Sequence, residues 1–156
     1  MNSLYEAANS TAIHRRARLT YNNAHHWQHR PNIEMKFSED KPDEGYYITA
    51  YDQSQIVING RSLRSSFVLA PDAVIEHWSA DSVDALSESH FDSVLNLGPE
   101  IVLLGTGNML RFPDVAVYAQ IINQGIGVEV MDTGAACRTY NILLSEGRRV
   151  VAGLIL

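Results

Sequence analysis

Cysteine is almost missing from this chain, since Cys137 is the only one among 156 residues. A single cysteine cannot form an internal disulfide, which excludes the disulfide-stapled folds of small secreted domains. The chain also lacks any run of about 18 to 20 apolar residues, the length that a membrane-spanning helix needs, and no apolar signal-peptide segment is recognisable. We therefore expect a cytoplasmic protein in a reducing compartment, without stable membrane insertion.

Basic residues are scarce as well, with 12 lysines and arginines against 18 acidic residues and a formal net charge of −6. Acidic and basic side chains balance in residues 1–45, so the excess of acid lies in residues 46–156. Nucleic-acid binding depends mainly on clustered Lys and Arg that neutralise phosphates. We expect no nucleic-acid partner for an acidic domain without a basic stripe.

The chain does contain enough apolar residues for a core. Its 46% hydrophobic and 19% charged composition is typical of a folded protein, and its length fits one domain.

Residues 1–34 are polar and lack apolar periodicity, so we interpret them as a disordered polar extension and residues 35–156 as a single α/β domain. Their histidines lack the carboxylate or cysteine partners of a metal site, so no metal or cofactor is predicted. Whether translation starts at Met1 or at Met35 stays open.

The two halves of the domain have different patterns. In the first half, β-branched and aromatic runs at residues 46–51 and 55–58 predict a hairpin, and Asn59-Gly60 predicts the next turn. The other strands and helices follow from apolar runs, apolar spacing and Gly or Pro punctuation. The predicted strands are residues 66–69, 73–78, 100–104, 128–131 and 150–156, and the predicted helices are residues 87–95, 114–123 and 134–144. The second half thus alternates strands and helices, which indicates an α/β fold with an antiparallel β addition in front.

Two predicted loops follow the carboxyl ends of strands, where open α/β sheets bind ligands. In Gly105-Thr106-Gly107 the glycines would let backbone N–H groups point toward an anion. A plain tight turn is the alternative, because the third glycine of a dinucleotide site and the lysine of a P-loop are missing. The second loop begins with Asp132, the predicted cap of a helix whose N-terminus would stabilise negative charge.

Cys137 has two interpretations. It falls near the first turn of that helix, next to Arg138, where a thiol pKa can drop into the range of reactive cysteines. The alternative is a buried structural cysteine, because free cysteine is among the most buried residue types and Ala135 and Ala136 suggest a tightly packed helix face.

Glu129 lies in the strand predicted over residues 128–131. Because it alternates with two valines, we expect it to be buried and paired with Arg138, Arg148 or Arg149. A structural ion pair is the favoured interpretation, and an acid-base role is the alternative.

The segment Met-Asp-Thr-Gly-Ala-Ala-Cys-Arg-Thr-Tyr-Asn-Ile-Leu at residues 131–143, followed by Glu146-Gly147-Arg148, resembles the C-terminal signature of a known family. Gly105-Thr106-Gly107 resembles another part of it. This bacterial and archaeal family is a domain of unknown function, and its eukaryotic relatives include a mitochondrial respiratory complex I assembly factor and the adipogenesis-associated domain protein. The resemblance spans about residues 46–156. It implies a three-layer fold with a central mixed sheet, βαβ units and an additional antiparallel β-hairpin region at the N-terminal side.

The family has no accepted catalytic residues, so the resemblance implies candidate positions only. The candidate ligand or partner site consists of the motif residues Gly105, Thr106, Gly107, Asp132, Thr133, Cys137, Arg138, Thr139, Tyr140 and Asn141. The resemblance favours a non-enzymatic binding or assembly module with a protein partner. The alternative is an enzyme or small-molecule sensor that holds a small anionic ligand at the two loops. Oligomeric state is left open.

Overall fold

The structure, a computed structural model, describes residues 35–36 and 45–156. The polar extension interpreted at residues 1–34 lies outside this part of the chain. The described strands are β1 (Met35–Lys36), β2 (Ile48–Tyr51), β3 (Ile56–Ile58), β4 (Arg61–Leu63), β5 (Phe67–Ala70), β6 (Ala73–Ile75), β7 (Ile101–Thr106), β8 (Gly127–Met131) and β9 (Val150–Ile155). The α-helices are α1 (Asp92–Leu95), α2 (Ala119–Asn123) and α3 (Thr133–Ser145), and 3₁₀ turns cover Val83–Ala85, Glu88–Phe91 and Val115–Tyr118.

These strands form two sheets. An antiparallel sheet has the order β1-β2-β3-β4, and a mixed sheet has the order β6-β5-β9-β7-β8. In the mixed sheet β9, β7 and β8 are parallel, whereas β5 pairs antiparallel with both β6 and β9. The β7-α2-β8 segment is the predicted βαβ unit, and α3 connects β8 to β9. The mixed sheet and the preceding antiparallel strands confirm the predicted fold class.

Both faces of the mixed sheet are covered, as β9 shows. Val150, Ala152 and Leu154 face α3 and the antiparallel sheet, while Val151 and Ile155 face the layer of short helices. Successive side chains of a strand point to opposite faces, so a strand buried on both sides is apolar without alternation. The fold therefore has three layers, as the resemblance implied.

β4 and β6 are among the strands that differ from the prediction. β4 was not predicted, because only Leu63 of its three side chains is buried and an edge strand of this kind has no apolar run. The strand predicted over residues 73–78 ends at Ile75, since His77 adopts a left-handed φ of 57° that redirects the chain. Trp78 then packs over Gly153, where an added Cβ would lie 2.8 Å from the indole.

The helices predicted over residues 87–95 and 114–123 each consist of a 3₁₀ turn followed by a short α-helix. Their buried side chains explain the ambiguity, because Phe91 and Val94, like Tyr118 and Ile121, are three residues apart. A spacing of three residues suits the 3₁₀ helix and the α-helix alike.

Candidate functional site

Gly105 and Thr106 are not loop residues, and the prediction of a Gly105-Thr106-Gly107 loop was wrong in this respect. Both are the last residues of β7 and are buried. A Cβ on Gly105 would lie 2.9 Å from Leu154 Cδ2 and from Thr133 Oγ1, so glycine is needed for the close approach of α3 to the sheet. Gly107, with φ of 90°, is the residue that turns the chain out of the strand.

Thr133, the first residue of α3, joins the ends of β7 and β9. Its hydroxyl donates to the carbonyl of Ile155 at 2.7 Å and accepts the N–H of Gly107 at 2.8 Å. Its own N–H donates to the carbonyl of Gly107 at 2.9 Å. These three bonds position the start of α3 against the carboxyl ends of the parallel strands.

Thr106 holds the backbone that follows β7. Its hydroxyl oxygen lies 2.8 Å from the carbonyl of Met109 and 3.0 Å from that of Met131, and it accepts the N–H of Arg111 at 3.1 Å. The residues between β7 and α2 are therefore tied to the end of the strand and to β8.

Two N–H groups at the N-terminus of α3, those of Thr133 and Ala135, already have acceptors. Asp132 caps the helix as predicted, and its carboxylate accepts the N–H of Ala135 at 2.7 Å. The carbonyl of Gly107 accepts the N–H of Thr133. A negative charge thus already stands where the helix dipole would stabilise an anion.

Cys137 is fully buried in the core between α3 and the mixed sheet. Burial raises the pKa of its thiol to about 12, an effect that the nearby Arg138 charge opposes only in part. Since the thiolate is the nucleophile, such a thiol is inert at neutral pH. The structure confirms the interpretation of Cys137 as a buried structural residue.

Two motif residues connect α3 to the start of β2. The side-chain amide of Asn141 accepts the N–H of Ile48 at 3.0 Å and donates to the carbonyl of Ile48 at 2.7 Å. The hydroxyl of Tyr140 donates to the carbonyl of Tyr46 at 2.9 Å, and burial raises its pKa. Both side chains serve as partners for backbone groups of the antiparallel layer.

Arg138 and Gly134 meet Tyr51 at the end of β2. The guanidinium of Arg138 donates to the Tyr51 hydroxyl and lies 6.0 Å from the centroid of the ring. A Cβ on Gly134 would lie 3.0 Å from the same ring. Thr139 is half-buried between Arg138 and Tyr140. The motif of α3 is thus largely engaged in joining the layers of the fold.

Glu129 is exposed, so the expectation of a buried ion pair was wrong. It lies on β8, the edge strand of the mixed sheet, where its side chain stays in solvent. Two of the expected partners pair elsewhere among the described residues, Arg148 with Glu100 at 3.3 Å and Arg149 with Asp72 at 3.2 Å.

Sequence reasoning missed a cluster of exposed apolar side chains between β7 and α2. Met109 is 73% exposed, Leu110 50%, Phe112 70% and Val115 58%. We call these four residues the apolar loop. Met109, Leu110 and Phe112 lie between the turn at Gly107 and the 3₁₀ turn that Val115 begins. The only signal in the sequence was the apolar segment 109–112, which lies between the predicted strand and the predicted helix.

The fold and the motif define the class of this protein as a small three-layer α/β domain in which the helix of the motif, α3, begins at the carboxyl ends of β7, β8 and β9. Residues 48–155 match the family described as protein of unknown function (DUF498/DUF598). The chain belongs to this family, which confirms the resemblance.

Solved structures share the fold. A Xanthomonas campestris protein studied by NMR is 43% identical, with a TM-score of 0.66 over 78% of this chain and 92% of its own. A crystal structure from Bordetella parapertussis is 33% identical, with a TM-score of 0.69 over 74% of this chain and 98% of its own. An NMR structure from Bordetella pertussis, described as a Mth938-like domain, is 29% identical, with a TM-score of 0.66 over 78% of this chain and 92% of its own.

The names of two curated relatives describe different kinds of protein. The "13 kDa major membrane protein" of Francisella tularensis is 30% identical, and the match covers 74% of this chain and 95% of that protein. The bovine NADH dehydrogenase (ubiquinone) 1 alpha subcomplex assembly factor 3 is 36% identical over 70% of this chain, and the match spans only 60% of its length. Among the described residues, no helix combines the length and the apolar character needed to cross a bilayer.

Proposed function

We propose that this chain is a non-enzymatic binding or assembly module that contacts a protein partner through the apolar loop. The observation that carries the proposal is the exposure of Met109, Leu110 and Phe112 on a backbone that Thr106 holds in place. Contiguous exposed apolar side chains mark contact sites, and aromatic side chains such as Phe112 are enriched where interfaces are buried. A preformed loop also loses little conformational entropy on binding.

One of the two named relatives supports this proposal by its name, whereas the Francisella tularensis relative is named as a membrane protein. The bovine relative is named as an assembly factor, and an assembly factor acts through contacts with other proteins. Because this chain spans about 60% of that relative, we carry over the role of an assembly module and leave the assembled complex unspecified. We place the module in the cytoplasm, since its single free cysteine suits a reducing compartment.

A small anionic ligand at the two loops is the alternative function. It has less support, because Gly107 and Asp132 already supply acceptors at the start of α3. Cys137, one of the candidate site residues, lies in the core.

The test compares two exposed apolar positions. Phe112→Ser should remove the aromatic anchor of the apolar loop and weaken capture of a partner from lysate about thirtyfold, the loss typical of a hot-spot residue. Ile142→Ser is the matched control, because Ile142 is 57% exposed on α3, outside the loop. Both variants should melt like the parent chain, so that the comparison reports binding. If Phe112→Ser captures the partner as well as Ile142→Ser does, the apolar loop is not the contact surface.

A further inference from the structure

Carboxylates are numerous in the two chain segments that contain or adjoin the apolar loop. Residues 80–92, which pack beside α2, and residues 107–124 contain five acidic side chains and one basic side chain, Arg111. The acidic residues are Asp81, Asp84, Glu88, Asp92 and Asp114. All five are exposed. Asp114 also accepts the N–H of Ala116 at 2.9 Å. The segments that contain or adjoin the exposed apolar side chains thus carry a net negative charge.

Two contacts place Asp84 at the loop and Glu88 beside α2. Arg111, within the loop segment, donates to both carboxylate oxygens of Asp84 at 2.9 Å. Gln120 of α2 donates to the carbonyl of Glu88 at 2.7 Å, which brings that segment against the helix that follows the loop. Because the charge of Arg111 is taken up by Asp84, the other carboxylates leave a net negative surface.

The negative charge of these segments indicates which kind of partner can bind the apolar loop. Loops that insert into membranes are usually flanked by Lys and Arg, which attract anionic headgroups, whereas carboxylates are repelled by them. A second copy of this chain, docked symmetrically, would bring two acidic surfaces together, and like charges disfavour such a contact. A partner with apolar and basic side chains meets both features of the surface.

We propose, resting on the proposed function, that the partner presents a basic amphipathic segment to the apolar loop. Its apolar side chains pack on Met109, Leu110 and Phe112, and its Lys or Arg side chains face Glu88 and Asp114. The apolar contacts supply most of the affinity, while the charge pairs select the partner and speed association.

The probe is a labelled 18-residue synthetic peptide of leucine and lysine in an amphipathic helical pattern, compared with its leucine and glutamate counterpart. The full chain should bind the lysine peptide in a fluorescence anisotropy titration and should not bind the glutamate peptide. Raising the salt from 50 to 500 mM should weaken binding, since exposed charge pairs are screened. Equal binding of the two peptides would overturn the proposal.

Matched charge variants locate the effect. Glu88→Gln/Asp114→Asn should weaken binding of the lysine peptide about fivefold, as expected for two exposed charge pairs. The asparagine keeps the cap at residue 114. Glu129→Gln/Glu146→Gln removes the same charge from exposed positions elsewhere and should leave binding unchanged. A similar loss in both double variants would mean a general charge effect and would overturn the proposal.

Other occupants have their own readouts. Binding of the chain to phosphatidylglycerol vesicles that is lost in Phe112→Ser, or dimerisation in sedimentation that is lost in the same variant, would overturn the proposal. If Phe112→Ser abolishes partner capture while Glu88→Gln/Asp114→Asn leaves capture intact, the partner is not basic and the proposed function stands. If Phe112→Ser leaves capture intact, the proposed function itself fails.

Discussion

Asn141 illustrates how polar residues of the family motif act inside the fold. Its amide meets both the N–H and the carbonyl of Ile48, as the backbone of a neighbouring strand would. An amide can do this because it carries a donor and an acceptor on one planar group. The bonds join α3 to the antiparallel sheet at a partly buried position.

Removing this amide should destabilise the protein. In Asn141→Ala two backbone groups of Ile48 lose their partner, and the free energy of unfolding should fall by about 1–3 kcal/mol. Urea unfolding measures the change. The neighbouring exposed side chain provides a control, since Ile142→Ala should alter stability by less than about 0.5 kcal/mol. Equal effects of the two substitutions would show that the Asn141 bonds contribute nothing specific.

Gly105 and Gly127 allow a second comparison at the scale of single residues. In Gly105→Ala the side chains of Leu154 and Thr133 would have to move away from residue 105, because the new Cβ would lie 2.9 Å from each of them. Overpacking of this kind should cost about 1–3 kcal/mol. At Gly127, also in a strand, the Cβ would meet Ile101 at an ordinary 3.6 Å, so Gly127→Ala should be neutral or slightly stabilising. Thermal unfolding of both variants decides, and a Gly105→Ala variant as stable as Gly127→Ala contradicts the close-packing argument.

At the scale of elements, α3 is the segment whose side chains contact both sheets. Its N-terminal residues bind the ends of β7 and β9, and its later residues bind the start and the end of β2. The helix therefore connects the mixed sheet to the antiparallel sheet. The contacts to both sheets therefore depend on α3 beginning at the correct residue.

The cap of α3 can be tested by two substitutions of one residue. Asp132→Ala removes the acceptor of the Ala135 N–H and should lower stability by about 1 kcal/mol. Asp132→Asn keeps an acceptor at the same place and should lose less, because only the charge-dipole contribution is removed. Chemical unfolding of the two variants gives the answer. An asparagine variant as unstable as the alanine variant would mean that the charge, and not the cap bond, matters.

At the scale of the whole molecule, the buried thiol links stability to alkaline pH. The thiol of an unfolded chain loses its proton near pH 9, whereas Cys137 in the folded chain holds it until about pH 12. Between these values the unfolded state binds fewer protons, so stability should fall as pH rises, by up to about 1.4 kcal/mol per pH unit for this group. Below pH 9 the group should have no effect on the pH dependence.

Cys137→Ala should therefore flatten the alkaline loss of stability, even though the substitution also lowers stability at neutral pH. Urea unfolding at pH 8, 9.5 and 10.5 measures both slopes. Tyr140, whose pKa burial also raises, contributes with the same sign at higher pH and remains in the variant. Parallel slopes for the two proteins would show that the thiol is not the group responsible.

The domain boundary is a further prediction at this scale. The family match begins at residue 48, and the buried hydrophobic residues of the described chain begin at Ile48. A shortened chain of residues 35–156 should thus unfold cooperatively, with a melting temperature within about 2 °C of the full chain. Calorimetry tests this. A broad or strongly lowered transition would mean that residues 1–34 belong to the folded unit.

Much of the fold was predictable. The apolar residues within β7, β9 and α3 form patterns that indicate a buried strand or a helix without knowledge of the rest of the chain. β4 was not predictable, since two of its three side chains are exposed and its pairing depends on the neighbouring strand. Glu129 was misjudged for a related reason. Alternation with valines is the same in an edge strand as in a covered one, and only the sheet order distinguishes them.

The sequence by itself determined the α/β class, the extent of the family match and the cap at Asp132, because composition, periodicity and local hydrogen bonding are properties of short segments. Only the tertiary structure decided that Cys137 is buried, that Gly105 is a packing position, and that Met109 and Phe112 are exposed. Burial depends on which distant segments cover a residue. The same apolar side chain is core in one arrangement of layers and contact surface in another.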